Sequence, residues 1–193
     1  AIKNVQNIVN KLLNSYVNRE SAYREPMLPY KDEDMFINDF EYLETDDQNK
    51  SWDEIKNDLI GTTPIDRLIC GDVGFGKTEI AIRTAYRYAS NNKKVIVLAP
   101  TTILTQQLYI SFNKRMKKYA VIIRSVSRFK LKKEIRQIKE LWLNSQVDII
   151  IGTHAILYDN IYLESCDLLI IDEEHRFGVK QKETIKDLNP SID

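Results

Sequence analysis

Apolar residues recur at three- and four-residue spacing at the start of the chain, through Val5, Ile8, Val9, Leu12, Leu13, Tyr16 and Val17. That spacing marks one face of an amphipathic helix. The pattern then breaks into an irregular stretch with Pro26 and Pro29, so a loop or linker is expected over residues 21–37. Trp52, Ile55 and Leu59 suggest a short helix. Beyond it, mainly apolar runs at Arg67–Cys70, Val95–Ala99, Val121–Val126, Val147–Ile151 and Leu168–Asp172 alternate with helix-like segments around 77–90, 102–118, 130–144 and 154–160. Runs apolar on both faces suit a buried parallel sheet. Their alternation with helices predicts βαβ units. The expected fold class is α/β, a mainly parallel sheet flanked by helices and preceded by an N-terminal amphipathic helix. Neither an internal repeat nor a low-complexity tract interrupts it.

One strand-to-helix junction in that alternation carries chemistry. Gly71-Asp72-Val73-Gly74-Phe75-Gly76-Lys77-Thr78 fits G-x-x-x-x-G-K-[ST] between strand-like Leu68-Ile69-Cys70 and helix-like Glu79-Ile80-Ala81-Ile82. Glycines at 71, 74 and 76 let backbone N–H groups crowd around phosphate oxygens, and the helix N-terminus adds a favourable dipole. Lys77 is placed to reach the β- and γ-phosphates, and the Thr78 hydroxyl to bind Mg²⁺. A Gly-rich turn without a ligand is the bland alternative, and the complete motif in the right flanks argues against it. The expected ligand is a nucleoside triphosphate, ATP with Mg²⁺.

A second element complements the first. Leu168-Leu169-Ile170-Ile171 is apolar throughout and ends in Asp172-Glu173-Glu174-His175. Carboxylates at the C-terminal end of a buried strand emerge where open α/β sheets bind ligands. Asp172 is the candidate Mg²⁺ holder, usually through water. Glu173 is the candidate to orient and deprotonate an attacking water, and His175 to sense the γ-phosphate. A merely solvated acidic cluster would not have a buried strand pointing into it.

Composition narrows the class. At 193 residues the chain supports one sizeable core and an appendage. It holds no apolar stretch of the ~18 residues a membrane span needs and opens on no signal-peptide pattern. Cys70 and Cys166 lie in or beside apolar runs without metal-ligand spacing, as core thiols would. The chain reads as a cytoplasmic piece of a longer protein. Formal net charge is +0, yet residues 31–58 carry eleven acids against three lysines, while residues 93–139 carry thirteen Lys/Arg against Glu134 alone. Such asymmetry points to an anionic partner, nucleic acid first. For Lys114-Arg115-Met116-Lys117-Lys118 taken alone, a solvated helix face is the plainer explanation.

Read together, Asp66-Arg67-Leu68-Ile69-Cys70 with the glycine-rich motif and Glu79, then Pro100-Thr101-Thr102-Ile103-Leu104, Gly152-Thr153-His154 and Asp172-Glu173-Glu174-His175-Arg176-Phe177-Gly178-Val179 resemble motifs I, Ia, Ic and II of superfamily 2 helicases. The longer wording is similar to the transcription-repair coupling factors (Mfd). The related branch-migration helicases (RecG) usually carry Gln where Glu174 stands. Ser127-Arg128-Phe129 and the tail over 178–183 favour the first group as well. The resemblance covers roughly residues 38–190.

It implies a RecA-like P-loop lobe over 38–193, truncated at its C-terminal side, with 21–37 a linker and 1–20 the end of an interdomain helix. It implies that Gln48 reads adenine while Tyr42 or Phe40 stacks on the base. It further implies that Thr101, Thr102, Gly152, Thr153 and His154 touch the DNA backbone; for Thr101 and Thr153, helix capping is the simpler job. The function implied is a double-stranded DNA translocase that displaces stalled RNA polymerase and recruits excision-repair proteins. A RecG-like branch-migration lobe is the alternative. With the finger arginine expected from a second lobe, residues 1–193 alone should hydrolyse ATP very slowly.

Overall fold

The computed structural model describes residues 17, 19–71, 74, 76–127, 130–176, 178, 185 and 188–193. The helical pattern from Val5 to Tyr16, Arg128-Phe129 and most of the tail over 178–183 therefore lie outside the described residues. Four strands, β1 (Val95–Ala99), β2 (Ile123–Val126), β3 (Ile149–Thr153) and β4 (Leu168–Ile171), form one sheet. All pair in parallel, in the order β2-β3-β1-β4. Every residue of β1 and β3 is buried. Alternation explains why such strands must be apolar throughout. Val95, Val97 and Ala99 enter one core layer with Ile149 and Ile151, while Ile96, Leu98 and Ile150 enter the layer on the opposite face.

Helices cover both faces. On the first lie α1 (Glu33–Asn38), α2 (Asp46–Leu59), α3 (Lys77–Ser90) and α4 (Thr102–Met116). Trp52, Leu59, Ile80, Phe112 and Met116 carry them into the core. On the second, α5 (Lys132–Leu143) and α6 (Asn160–Glu164) bury Ile138, Trp142, Tyr162 and Leu163. Local chemistry sets the boundaries. Thr45 caps α2 through a reciprocal box with Gln48, Thr101 caps α4 by accepting from the Leu104 N–H at 3.2 Å, and Asp159 caps α6.

The acidic stretch is docked on the protein rather than left loose. Part of the region expected to be linker forms α1, where Phe36 is fully buried and stacks on Tyr86 with ring centroids 3.9 Å apart. Glu33 takes a two-pronged ion pair from Arg87 on α3, both contacts at 2.7 Å. Glu41 pairs with Lys114 at 2.8 Å and Asp39 with Lys118 at 3.1 Å. Further along, Lys139 pairs with Asp159 at 2.6 Å. Two lysines of the basic stretch are thus paired with the acidic one in space. Lys114 and Lys118 meet the chain's own carboxylates, which takes weight from the expectation that this run marks a nucleic-acid face.

Residues 67–70 correct the expected strand there. They stay outside the sheet, with Leu68 68% exposed and Cys70 also exposed. Two competing interactions account for this. The Arg67 side chain is drawn outward to Glu54 at 2.7 Å and Asp58 at 2.5 Å. The edge of β4 is already taken by Asp193, which accepts from the Leu169 N–H at 2.7 Å and donates its own N–H to the Asp167 carbonyl at 3.0 Å. Of the two cysteines only Cys166 is a core thiol, and burial pushes its pKa up. The expected helix over 154–160 is a 3₁₀ turn, His154–Tyr158, followed by α6.

Candidate nucleotide and hydrolysis site

The geometry of the glycine-rich loop begins with handedness. Gly74 and Gly76 have φ of 89° and 71°, values that disfavour any residue with a Cβ. Gly76 then starts α3, so Lys77 and Thr78 stand in its first turn, at the positive end of the helix dipole. The Lys77 ammonium donates to the Gly71 carbonyl across the loop. Asp72, Val73 and Phe75 lie outside the described residues.

Asp172 follows β4 directly, and its backbone N–H continues the ladder to the Leu98 carbonyl at 2.8 Å. Its carboxyl is held above the usual carboxylate range by burial and by the neighbouring Glu173, against a smaller opposing pull from Lys77. Gly71, Lys77 and Thr78 line the same cleft, of about 760 Å³, as Asp172, Glu173, Glu174 and His175. The two motifs meet because α3, which the glycine-rich loop opens, packs on both β1 and β4, and Asp172 directly follows β4.

Glu173 is a non-glycine residue at φ 57°, a conformation sustained only where the surroundings over-determine it. His175 Nε2 lies 3.3 Å from its carboxylate and Arg176 Nε 3.6 Å. His175 itself stays 71% exposed at the side chain. As for a metal, among the described residues no group of three or more His, Cys, Asp or Glu is arranged to hold one. The Thr78 hydroxyl and the Asp172 carboxylate are hard oxygen donors on one cleft. They fit Mg²⁺, which takes one or two protein oxygens and completes its shell with phosphate and water.

Gln48 reaches the same loop from α2. A Cβ placed on Gly76 would stand 1.8 Å from Gln48 Nε2, so the amide lies directly against the loop backbone. The Gln48 Oε1 meanwhile accepts from the Thr45 N–H at 2.9 Å. Tyr42, by contrast, is 70% exposed and makes an edge contact with Phe40 at 5.5 Å.

The residues expected to touch nucleic acid occupy the same sheet edge in different settings. Thr101 and Thr102 sit half-buried where α4 begins, and the Thr101 hydroxyl oxygen is engaged in the cap. Gly152 and Thr153 end β3 in the interior, and Thr153 makes no capping bond. A Cβ on Gly152 would come within 2.5 Å of the Val126 carbonyl and 2.4 Å of Ile156 Cδ1, so close strand packing requires a glycine there. His154 is exposed and turns an edge toward the Tyr158 ring at 6.5 Å.

A feature beyond the sequence reading is the buried charge set beside this site. Arg83 and Glu79 on α3 are 1% and 6% exposed, and Arg115 on α4 joins them. Their i, i+4 spacing on one helix was the available signal.

Comparisons with known proteins agree with this geometry. A family model described as DEAD/DEAH box helicase matches residues 45–192. The chain is 45% identical over 192 residues to a transcription-repair-coupling factor of Staphylococcus epidermidis, spanning 99% of this chain and 16% of that protein. The corresponding Staphylococcus aureus protein is likewise 45% identical, over 195 residues, with the same coverage. The chain therefore spans about one-sixth of these relatives' length. Among solved structures, RecG bound to a three-way DNA junction superposes with TM-score 0.77 at 30% identity, over 88% of this chain and 24% of that one. The UvsW helicase of bacteriophage T4 superposes with TM-score 0.63 at 18% identity, over 88% and 58%, and supports the fold alone.

Proposed function

Because the chain belongs to the DEAD/DEAH box helicase family, we propose that it is the ATP-binding lobe of an ATP-driven double-stranded DNA translocase of the transcription-repair-coupling type. The observation that carries this reading is the 45% identity sustained over 99% of the chain, against 30% to the RecG structure. In this reading Lys77 meets the β- and γ-phosphates, the glycine-rich backbone cradles them, and Gln48 with Tyr42 or Phe40 holds the adenine. Thr78 and Asp172 would hold Mg²⁺, which when bound neutralises charge on the phosphate oxygens. Glu173 orients the attacking water and accepts its proton, and His175 relays the state of the γ-phosphate. Positioning and charge stabilisation supply most of the rate in such in-line attacks.

DNA is assigned to the other loops of the same sheet edge. Thr101, Thr102, Thr153, His154 and the backbone at Gly152 offer hydroxyls, an imidazole and N–H groups that bind phosphates without reading bases. In the whole protein, the work done on DNA would dislodge a stalled RNA polymerase and bring in excision-repair proteins. The test is release of a stalled polymerase from duplex DNA by the full-length protein, with and without ATP. ATP-dependent release supports the reading. Fork regression without polymerase release would transfer the assignment to the RecG type.

A further inference from the structure

The segment that carries Tyr42 and Gln48 is fastened by a buried set of four charges. Arg83 Nε donates to Glu79 Oε1 at 3.0 Å, and its Nη2 donates to Glu44 Oε1 at 2.5 Å. From α4, Arg115 grips the same Glu79 carboxylate with Nη2 at 2.7 Å and Nε at 3.1 Å. The chain of contacts thus runs Glu44–Arg83–Glu79–Arg115, two anions and two cations. Side-chain exposure falls from 23% at Glu44 to 6% at Glu79 and 1% at Arg83, with Arg115 at 12%. Charges this deep interact strongly and tolerate no vacancy, since removing one leaves its partner desolvated and unpaired.

The placement of the set gives it a task. Glu79 is in the first turn of α3, two residues after Lys77. Glu44 immediately precedes Thr45, whose capping box holds the Gln48 side chain. Phe40, at the other end of the segment, lies 5.5 Å from both the Arg83 and Arg115 guanidiniums. The segment is therefore pinned at both ends to the helix that the phosphate loop opens. Tyr42 between them is exposed, and Gln48 is driven against Gly76. The set adds a charged fastening, on the helix that the loop opens, to the apolar anchors Phe36, Trp52 and Leu59.

We propose that Glu44, Arg83, Glu79 and Arg115 act as a positioning element that holds the Tyr42–Gln48 segment against the phosphate loop and so sets the preference for the base of the bound nucleotide. The element touches neither base nor phosphate. It acts through Gln48, and it rests on the nucleotide reading given above. A purely structural role would weaken binding of every ligand alike. A positioning role weakens only the part of affinity that comes from the base.

The experiment is a Mg²⁺-containing titration of the full-length protein with ATP and, separately, with inorganic triphosphate, which has no base. Glu44→Gln is the variant of choice because its side chain is the most exposed of the four and the amide keeps an acceptor for Arg83. Loosening one hydrogen bond to the base should weaken ATP by about three- to tenfold and leave triphosphate unchanged. In a Gln48→Ala background, Glu44→Gln should add nothing further, and a thermal melt of each variant confirms the fold. Equal losses for both ligands, no loss for either, or full additivity with Gln48→Ala would overturn the proposal. Lys77→Ala separates the two levels of inference. If it binds ATP and triphosphate as well as the wild type does, the nucleotide site is elsewhere; if it loses both while Glu44→Gln loses neither, only the positioning element falls.

Discussion

Replacing Arg87 by Met isolates the anchor of the acidic stretch and should cost this protein a large share of its stability. In the native state the guanidinium gives Glu33 two contacts at 2.7 Å, and the two side chains are 2% and 4% exposed. It also lies over the Trp52 ring at 5.1 Å. Met preserves the volume and the contact with the indole but leaves a carboxylate buried and unpaired. Removing one member of such a pair costs about 3–5 kcal/mol, out of the roughly 5–15 kcal/mol that holds a domain together. With a urea slope of about 2 kcal/mol per molar, the midpoint should fall by about 2 M. Urea unfolding followed by far-ultraviolet circular dichroism measures it. The companion variant carries Glu33→Leu with Arg87→Met. With both charges gone, no ion is stranded, and stability should return to within about 1 kcal/mol of the wild type. A loss below about 1 kcal/mol for Arg87→Met, or a double variant as weak as the summed singles, would refute the claim that this pair anchors α1.

Three further outcomes follow from features already described. Gly152→Ala puts a methyl 2.5 Å from the Val126 carbonyl, an overpacking of about 1–3 kcal/mol; an unchanged melting temperature would show that β2 yields without strain. Asp148→Asn should stabilise at neutral pH. Burial raises the Asp148 pKa above its ordinary 3.8, so its contribution is present below that value and lost as pH rises through the folded-state pKa. The amide still accepts from the Ile122 N–H, so the melting temperature should rise at pH 7 and the gain vanish at acidic pH; a gain independent of pH would contradict the argument. Glu173→Gln in the full-length protein should keep ATP affinity and lose about 10²–10⁴-fold in turnover, measured as phosphate release, and retained turnover would move the base elsewhere.

What the sequence revealed depended on how local the physics was. The strands at Val95–Ala99 and Ile149–Thr153 were legible because burial on both faces forces an apolar residue at nearly every position, whereas Leu168–Ile171, equally apolar, lies at the sheet edge with only Leu168 buried. The glycine-rich turn into α3 was legible because Gly74 and Gly76 answer to local backbone geometry. Arg67–Cys70 has the same apolar look, yet whether it joins the sheet is decided by Glu54, Asp58 and Asp193, none of them neighbours in sequence. The same limit applies to charge. Lys114 and Lys118 read as a basic patch until the fold lays Glu41 and Asp39 over them. Gln48 stood between these cases. Its box with Thr45 is a three-residue signal, but its contact with Gly76 spans the whole of α2.

The parallel register of β3, β1 and β4 has a mechanical consequence. Ala99 pairs with Thr153 on one side, and Leu98 with Ile171 on the other, one residue short of Asp172. Adjacent strands lie about 4.8 Å apart, so the carboxylate proposed for Mg²⁺ and the threonine proposed for DNA are separated by about 10 Å of hydrogen-bonded backbone. No long lever is needed between fuel and track. In the proposed reading both groups stand on one shared support, because β1 between them is buried along its whole length.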